Sequence, residues 1–203
     1  MEEKRQGEYF PVFENEAGTF IFNSKDLCMI EHIPEMMAAG VKSFKIEGRV
    51  KSLYYVATIV NAYRNAIDGY MNSPQNYVVD KNLVEEVMKV SHRDYSTGFY
   101  FNKPTDKGQV YSNSSYLRDY DIVAIVLDYD EATKTATVEQ RNKFIRGDEV
   151  EVIQPNSPYF AQVIDFIKDE NGADVESAPH PQQILKIPIK HKVVKNAIVR
   201  KQK

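Results

Sequence analysis

Charges of both signs alternate along one short stretch of this 203-residue chain, KSFKIEGRVKS, residues 42–52. Alternate residues of an extended strand face opposite sides, so Lys45 and Glu47 would share one face. In a partly enclosed site the two would stabilise each other's ionised forms, leaving Glu47 to contact a metal, a water or a substrate and Lys45 or Arg49 to contact an anion. A strand with one solvated face explains the same pattern without any function, and the local sequence favours neither interpretation. Lys45, Glu47 and Arg49 are therefore candidate catalytic residues.

The single cysteine, Cys28, is the other candidate. It lies one residue past the predicted start of a helix, where backbone N–H groups favour a thiolate. One cysteine cannot form an internal disulfide, which agrees with a reducing compartment. A lone buried structural cysteine is the usual alternative, so a role as ligand or nucleophile stays open at this point.

The elements that would position these residues alternate between strand and helix. The sequence predicts a strand over 18–22, a helix over about 27–39 that Pro34 divides into two pieces, a strand over 43–48 and a helix over about 52–70. This order is typical of a parallel α/β layer. Two such units cannot close an eight-stranded barrel, so we expect the end of a TIM-like barrel whose front part is absent from the chain.

In a β/α barrel the active site lies at the carboxyl ends of the strands; Cys28 follows one predicted strand, and Glu47 ends the next. We therefore expect both at one rim. The long helix carries an apolar stripe at spacings of three and four residues. Without the rest of a barrel the stripe lacks partners, so it should fold onto the β domain or self-associate into a homo-oligomer. The stripe consists of Leu53, Val56, Val60, Tyr63 and Ile67.

Strand signals follow one another without helices from about residue 109 onward. Six of them, separated by turn formers such as FIRGD and KDENGAD, indicate a small antiparallel β-barrel. The expected fold class is α+β, with an α/β remnant of a TIM-like barrel followed by this β-barrel. The predicted boundaries are 1–72 for the end of the catalytic domain, 73–108 for a connecting helix and linker, and 109–203 for the β-barrel domain.

The end of the chain is basic although the net charge is −3. The cations could contact phosphates of an RNA partner. A solvated edge strand and tail that use Lys to discourage aggregation are the alternative. The residues concerned are Lys186, Lys190, Lys192, Lys195, Arg200, Lys201 and Lys203.

Composition and motifs exclude several classes of protein. The 42% apolar and 27% charged residues are ordinary for a globular protein. There is no apolar run near the roughly 20 residues that span a bilayer and no signal-peptide core, so the default expectation is a cytoplasmic protein without membrane contact. No Gly-rich phosphate loop, nucleophile elbow or histidine pair with metal-ligand spacing occurs. HRDYSTGF resembles a kinase catalytic loop but lacks the surrounding kinase motifs, which favours a domain-joining segment.

Longer motifs resemble a known family. Residues 22–68 are similar to the later part of the catalytic domain of peptidase family U32, the collagenase-like proteases and their RNA-modifying relatives, through NSKDLC, the spacing to KIEGR.KS.YY, and AYR.AID. HRDYSTGFYF, VEQRNKFIRGDEVEVI and the closing VRK resemble the C-terminal β-barrel extension of that family. Full-length members include a long N-terminal segment, and we expect this missing part of the catalytic domain to be a partner of the chain.

The resemblance implies two functions. The chain would be the C-terminal fragment of a U32 peptidase, a collagenase-like protease. The alternative is part of a tRNA hydroxylation enzyme that forms 5-hydroxyuridine from prephenate-dependent chemistry and whose β-barrel assists RNA binding. In either case the fragment is expected to be inactive alone.

The resemblance also carries expectations for the site residues. Related members hold an iron–sulfur cluster on four cysteines, and Cys28 matches the last of these, which makes it the candidate cofactor and metal ligand. The other three would lie upstream. One thiolate cannot hold such a cluster, so the resemblance allows a cluster in a full-length protein while none is expected in this chain. Lys45, Glu47 and Arg49 match the charged residues of the family motif.

Overall fold

The computed structural model describes residues 12–16, 18–20, 24–104, 108–110 and 116–203. Within these ranges the chain forms a helical part followed by a curled antiparallel sheet. The fold is therefore mixed helix and sheet.

The helical part begins with short elements that hold the backbone around Cys28. Strands β1 and β2 form an antiparallel hairpin, so the strand predicted over 18–22 is present as β2 and its last residues lie outside the described ranges. Strand β3, a 3-10 helix and α1 follow. Their bounds are Phe13–Asn15 for β1, Gly18–Phe20 for β2, Asp26–Leu27 for β3, Ile30–His32 for the 3-10 helix and Ile33–Ala38 for α1.

The division of the first helix at Pro34 is confirmed. Pro34 occupies the first turn of α1, where its missing N–H has no intrahelical partner to lose. Gly40 then takes a left-handed conformation, with φ of +87°, and its N–H donates to the Met37 carbonyl at 3.0 Å. This is the geometry that glycine favours at a helix end.

The strand predicted over 43–48 is wrong. Side-chain burial does alternate there, with Phe44 and Ile46 half-buried and Lys45 and Glu47 exposed. Among the described residues, however, none pairs with residues 42–47 through backbone hydrogen bonds. An extended segment becomes a strand only when it hydrogen-bonds to a neighbouring strand. The predicted alternation of buried and exposed side chains is therefore correct, but the predicted pairing with a neighbouring strand is not.

Helix α2, Leu53–Asn72, starts where the sequence predicts. The Ser52 hydroxyl caps it by accepting a hydrogen bond from the Tyr55 N–H at 3.2 Å. The predicted apolar stripe packs only in part: Leu53 and Val60 are 65% and 46% exposed, whereas Tyr63 and Ile67 are half-buried against the core. The fully buried residues of α2 lie beside the stripe and are Tyr54, Thr58, Ile59, Ala62 and Ala66.

A second helix and a short strand complete the helical part. Helix α3 spans Lys81–Met88 and packs on α2. Strand β4, Tyr95–Ser96, pairs in parallel with β3. The Cys28 N–H donates to the Ser96 carbonyl at 3.0 Å, so the chain leaves both strands at the same edge.

Six of the eight strands that follow form one antiparallel sheet in the order β11-β6-β5-β12-β8-β9. All six predicted strand segments are present in it. The chain after β9 turns back to β11 through a bridge between Lys168 and Lys186, so the sheet curls into a half-barrel. The bounds are Tyr120–Asp130 for β5, Thr135–Gln140 for β6, Phe144–Ile145 for β7, Glu149–Ile153 for β8, Phe160–Val163 for β9, Ser177–Ala178 for β10, Ile184–Pro188 for β11 and Ile198–Gln202 for β12.

Four charged side chains join the helices to the sheet, and we call them the junction network. Arg200 is completely buried; its Nε donates to Glu151 at 2.8 Å and its Nη2 to Glu86 at 2.6 Å. Lys89 Nζ lies 3.0 Å from Glu151 and 3.1 Å from Glu86. Two cations and two carboxylates therefore satisfy one another between α3 and strands β8 and β12.

Candidate functional site

Three of the four predicted site residues line one open cavity of about 510 Å³. Cys28 lies at the end of β3, and Lys45 and Glu47 come from the extended segment 42–47. Arg49 is exposed and lies outside the described lining of the cavity. Its backbone N–H donates to Glu47 Oε1 at 2.8 Å, so Glu47 uses one carboxylate oxygen to hold the turn that follows it.

An ion pair that the sequence analysis missed fixes the wall of this cavity. Nε and Nη2 of Arg93 donate to Asp26 Oδ1 at 3.1 and 2.9 Å, and the Arg93 backbone N–H donates to Oδ2 at 3.1 Å. Charge-assisted contacts of this kind are strong and hold a fixed geometry. They tie β3 to the start of β4 and thereby position Cys28. Both residues lie in motifs that the sequence analysis singled out, Asp26 in NSKDLC and Arg93 in HRDYSTGF. No local pattern, however, predicts a contact between two residues 67 positions apart.

A second cation reaches the same carboxylate. Lys51 Nζ donates to the Ser91 carbonyl at 3.1 Å and lies 3.8 Å from Asp26 Oδ2. The ammonium also lies 4.0 Å from the centre of the Tyr116 ring, where the negative face of the ring attracts it. Arg93 and Lys51 thus share one carboxylate, and this wall of the cavity carries an excess of positive charge.

The Cys28 thiol faces a phenol. Sγ lies 3.7 Å from the Tyr63 hydroxyl, whose oxygen accepts the Met29 N–H at 2.8 Å. Because that oxygen already accepts, its own proton can point to the sulfur. Burial, together with the negative charge of a Cys28 thiolate, raises the pKa of Tyr63. The raised pKa keeps the Tyr63 phenol protonated, so its hydroxyl is able to donate a hydrogen bond to Cys28.

Four further tyrosines line the cavity, and two of them, Tyr55 and Tyr95, have raised pKa values. Burial raises the pKa of Tyr55, with the Asp26 carboxylate adding to the effect. Burial likewise raises the pKa of Tyr95, and the charge of Cys28 contributes. The cavity thus presents cations and neutral phenols, a set of donors suited to an anionic or strongly accepting ligand.

A metal or cluster does not fit the residues that the structure describes. Within those ranges no group of three or more His, Cys, Asp and Glu side chains could hold a metal ion. The free Cys28 supplies one thiolate, whereas iron–sulfur clusters usually take four. Cys28 as one ligand of a cluster completed by further residues remains a prediction.

The histidine of HRDYSTGF is buried and makes contacts that hold the backbone around it. His92 is buried, and its ring nitrogens lie 2.7 Å from the Arg93 carbonyl and 3.1 Å from the Met88 carbonyl. Its ring stacks on Tyr95 with centroids 4.4 Å apart. These contacts fix the passage from α3 to β4, and the domain-joining role of the segment stays a prediction.

The C-terminal cations are largely occupied by carboxylates. Arg200 belongs to the junction network, and Lys201 and Lys192 lie 2.8 and 2.7 Å from Asp148 and Glu131. The prediction that Arg200 could contact a phosphate is wrong, because its side chain is buried between α3 and the sheet. Sequence spacing did not reveal this, since the paired carboxylates lie 49 and 114 positions away.

Helices in the described part of the chain do not combine the length and apolarity that crossing a membrane requires.

Comparisons with known proteins place these features in a family context. A model of peptidase family U32 matches residues 1–110, and a model of the peptidase family U32 C-terminal domain matches residues 118–200. The C-terminal domain of a putative U32 peptidase from Geobacillus thermoleovorans, known from a crystal structure, is 43% identical over 40% of this chain and 99% of its own, with a TM-score of 0.39.

Curated relatives carry two kinds of name. The tRNA hydroxylation protein P1 of Bacillus subtilis is 41% identical over 95% of this chain and 46% of its own length. The tRNA hydroxylation protein P of Escherichia coli is 32% identical over 93% of this chain and 41% of its own. A collagenase of Porphyromonas gingivalis is 30% identical over 86% of this chain and 48% of its own. The chain thus spans about half the length of these relatives.

Proposed function

The chain belongs to peptidase family U32, and from this premise we propose that it takes part in hydroxylation of tRNA. The observation that carries the proposal is the environment of Cys28. A peptidase that attacks through a thiol needs a base within hydrogen-bond reach of the sulfur. The neighbour of Cys28 is the Tyr63 phenol at 3.7 Å, and its raised pKa keeps it protonated.

The charge of the cavity supports the same proposal. Lys51 and Arg93 place two cations around one carboxylate, and Lys45 lies at the same cavity. Nucleic acids are polyanions, and cations supply most of the affinity for them. Relatives at 41% and 32% identity are named tRNA hydroxylation proteins, which agrees with this chemistry.

The test is mass spectrometry of tRNA nucleosides from cells that lack the gene. Deletion should remove a hydroxylated nucleoside, and the intact gene should restore it. A Lys51→Met variant should restore much less, because it keeps the side-chain volume but removes a cavity cation. Lys143→Met changes an exposed lysine outside the cavity lining and the basic C-terminus and should restore the nucleoside fully. Unchanged nucleosides after deletion would contradict the proposal.

Peptidase activity is the second candidate, favoured by the 30% identity with a collagenase. Glu47 is the acidic residue of the cavity segment 42–47 that could activate a water. If this function is correct, gelatin digestion should persist through purification and fall with Glu47→Gln. Equal digestion by the variant would implicate a contaminant or another site.

Cys28 as a cluster ligand is a separate proposal for a protein that supplies further ligands. Anaerobic reconstitution with iron and sulfide should give visible absorbance that decreases in Cys28→Ala. The same absorbance in the variant would remove Cys28 from the ligand set.

A further inference from the structure

An exposed aromatic loop, residues 98–101, lies at the mouth of the cavity. Phe99, Tyr100 and Phe101 are 79%, 59% and 51% exposed, and Tyr100 also lines the cavity. Three consecutive exposed aromatic side chains are unusual in a globular protein, since such surface is normally buried or used for binding. Among the described residues, Phe99 belongs to neither hydrophobic core and does not take part in the hydrogen bonds of Cys28.

The backbone holds this loop in place. Strand β4 ends directly before it, and the Tyr100 N–H closes a turn by donating to the Thr97 carbonyl at 3.2 Å. Gly98 adopts a φ of +56°, which side chains rarely permit, so the chain can turn outward at this residue. The Phe101 ring packs against His32 with centroids 4.6 Å apart. Phe99 and Tyr100 are thus presented on an anchored turn.

Unpaired cations lie beside the same cavity. Lys42, Lys45 and Arg49 are exposed, and none of them forms an ion pair with a residue that the structure describes. The stretch 42–51 holds four cations and one carboxylate, Glu47, which the Arg49 backbone N–H engages. The C-terminal cations differ in part, because Arg200, Lys201 and Lys192 are held by carboxylates, whereas Lys186, Lys190 and Lys195 are exposed without an ion pair among the described residues. The cavity side thus offers a polyanion exposed cations next to exposed aromatic rings.

We propose that an unpaired stretch of RNA docks across this mouth, with bases stacked on Phe99 and Tyr100 and phosphates beside Lys45 and Arg49. The inference rests on the proposed function in tRNA hydroxylation and adds how the RNA is held. Aromatic rings bind single-stranded nucleic acid because every base has a stacking face, whereas paired bases do not expose theirs. The loop selects for single strands, and the cations supply the salt-dependent part of the affinity. One base next to the loop then lies at the entrance of the cavity.

Binding of the purified protein to RNA tests this arrangement. The probes are a fluorescein-labelled 12-nucleotide oligouridylate and a 12-base-pair RNA duplex, measured by fluorescence anisotropy at two or more salt concentrations. The single strand should bind about tenfold or more tightly than the duplex. Phe99→Leu removes the ring and keeps an apolar side chain, and it should weaken single-strand binding by about tenfold, the typical loss for one stacked base. Phe99→Tyr keeps a stacking ring and should bind as the wild type does.

Charge variants test the second half of the arrangement. Replacing Lys45 and Arg49 together by Gln should lower the slope of log affinity against log salt by about 1.4, since each phosphate contact of a single strand contributes about 0.7. Lys143→Gln, at an exposed lysine outside the cavity lining and the basic C-terminus, should leave the slope unchanged.

Several results would overturn the inference. They are equal binding of strand and duplex, no binding of the strand, unchanged affinity of Phe99→Leu, and displacement of the strand by gelatin peptides, which would make the loop a peptide site. A fall in the melting temperature of Phe99→Leu by several degrees would mean that another part of the protein packs on the ring. The ring would then be unable to stack on a base. None of these results alters the nucleoside measurement on the deletion strain, so the inference and the proposed function can fail separately.

Discussion

Two clusters of the same residue types lie beside the first turn of α2, one reached by Tyr54 and the other by Tyr55. Tyr54 reaches the junction network, where its hydroxyl donates to the Lys89 carbonyl at 3.0 Å and lies 3.3 Å from Arg200 Nη1. Tyr55, the next residue, lines the cavity with Lys51. Each cluster combines a lysine, an arginine, at least one carboxylate and several tyrosines.

The clusters differ in charge balance and in space. In the junction network Arg200 and Lys89 face two carboxylates, and the Arg200 side chain is completely buried although Glu86 borders an open cavity. In the cavity Arg93 and Lys51 are partly exposed and share the Asp26 carboxylate beside about 510 Å³ of open volume. A charge-balanced cluster around a buried cation holds two parts of a fold together, whereas partly exposed cations around one carboxylate can attract a ligand.

The largest expected effect on the free energy of unfolding comes from removing a cation of the junction network. Arg200→Met leaves Glu86 and Glu151 with one cation between them, and the loss of a partner from a buried ion pair typically costs about 3–5 kcal/mol. Urea unfolding should show a decrease of this size. Adding Glu151→Gln to the variant should recover part of it, because one uncompensated charge is removed. Lys195→Met is the matched control and should change stability by under about 0.5 kcal/mol.

A decrease below about 1 kcal/mol for Arg200→Met would mean that water reaches the junction network. The two clusters would then not differ in closure, and the comparison would fail.

The two consecutive tyrosines Tyr54 and Tyr55 give the next largest expected difference in the free energy of unfolding. Tyr54→Phe removes a hydroxyl that donates to the Lys89 carbonyl and contacts Arg200, so it should lower the free energy of unfolding by about 1–2 kcal/mol. Tyr55→Phe removes a hydroxyl that faces the open cavity and should change it by less than about 0.5 kcal/mol. Thermal or urea unfolding of both variants measures the difference. Equal losses would show that the cavity side is as closed as the junction.

Alkaline pH provides a third comparison. Burial and the neighbouring Cys28 charge raise the pKa of Tyr63 above its usual value near 10, so the folded protein keeps a proton that the unfolded chain releases. Stability from this group is fully present below about pH 10 and is lost as the pH rises through the folded pKa. Tyr63→Phe should flatten the decline of stability above pH 10 by at most about 1.4 kcal/mol per pH unit. An unchanged slope would mean that Tyr63 titrates like an exposed phenol.

Much of the local structure could be predicted from the sequence, because local signals decide it. Pro34 divided the first helix, Gly40 ended it, and the six strand segments of the sheet followed from alternation and turn residues. These features depend on residues within a few positions of one another.

The contacts between distant segments could not be predicted. The segment 42–47 has the alternation of a strand, but pairing depends on a neighbour that no local pattern specifies. The packing face of α2 contains Thr58 and Ala62, whose small side chains allow close approach, while Leu53 and Val60 stay exposed. Hydrophobicity alone therefore placed the packing face only in part, since Tyr63 and Ile67 do pack against the core. The partners of Asp26 and of Arg200 likewise became visible only in the fold.

A moderate effect on stability is expected for a lysine of the cavity cluster. Lys51→Met removes a cation that lies 3.8 Å from Asp26 and packs on Tyr116, but Arg93 still holds the carboxylate through its own hydrogen bonds. The loss should be about 1 kcal/mol, because the partly buried Lys51 gives up a hydrogen bond to the Ser91 carbonyl and a long ion pair while the carboxylate stays paired. Urea unfolding measures it, and Lys89→Met in the junction network is the matched comparison, with a larger expected loss because Glu86 and Glu151 would share one cation. If Lys51→Met destabilised the protein as much as Lys89→Met, the cavity cations would serve the fold. If it left stability nearly intact while tRNA hydroxylation fell, the excess charge at the cavity would act on the ligand.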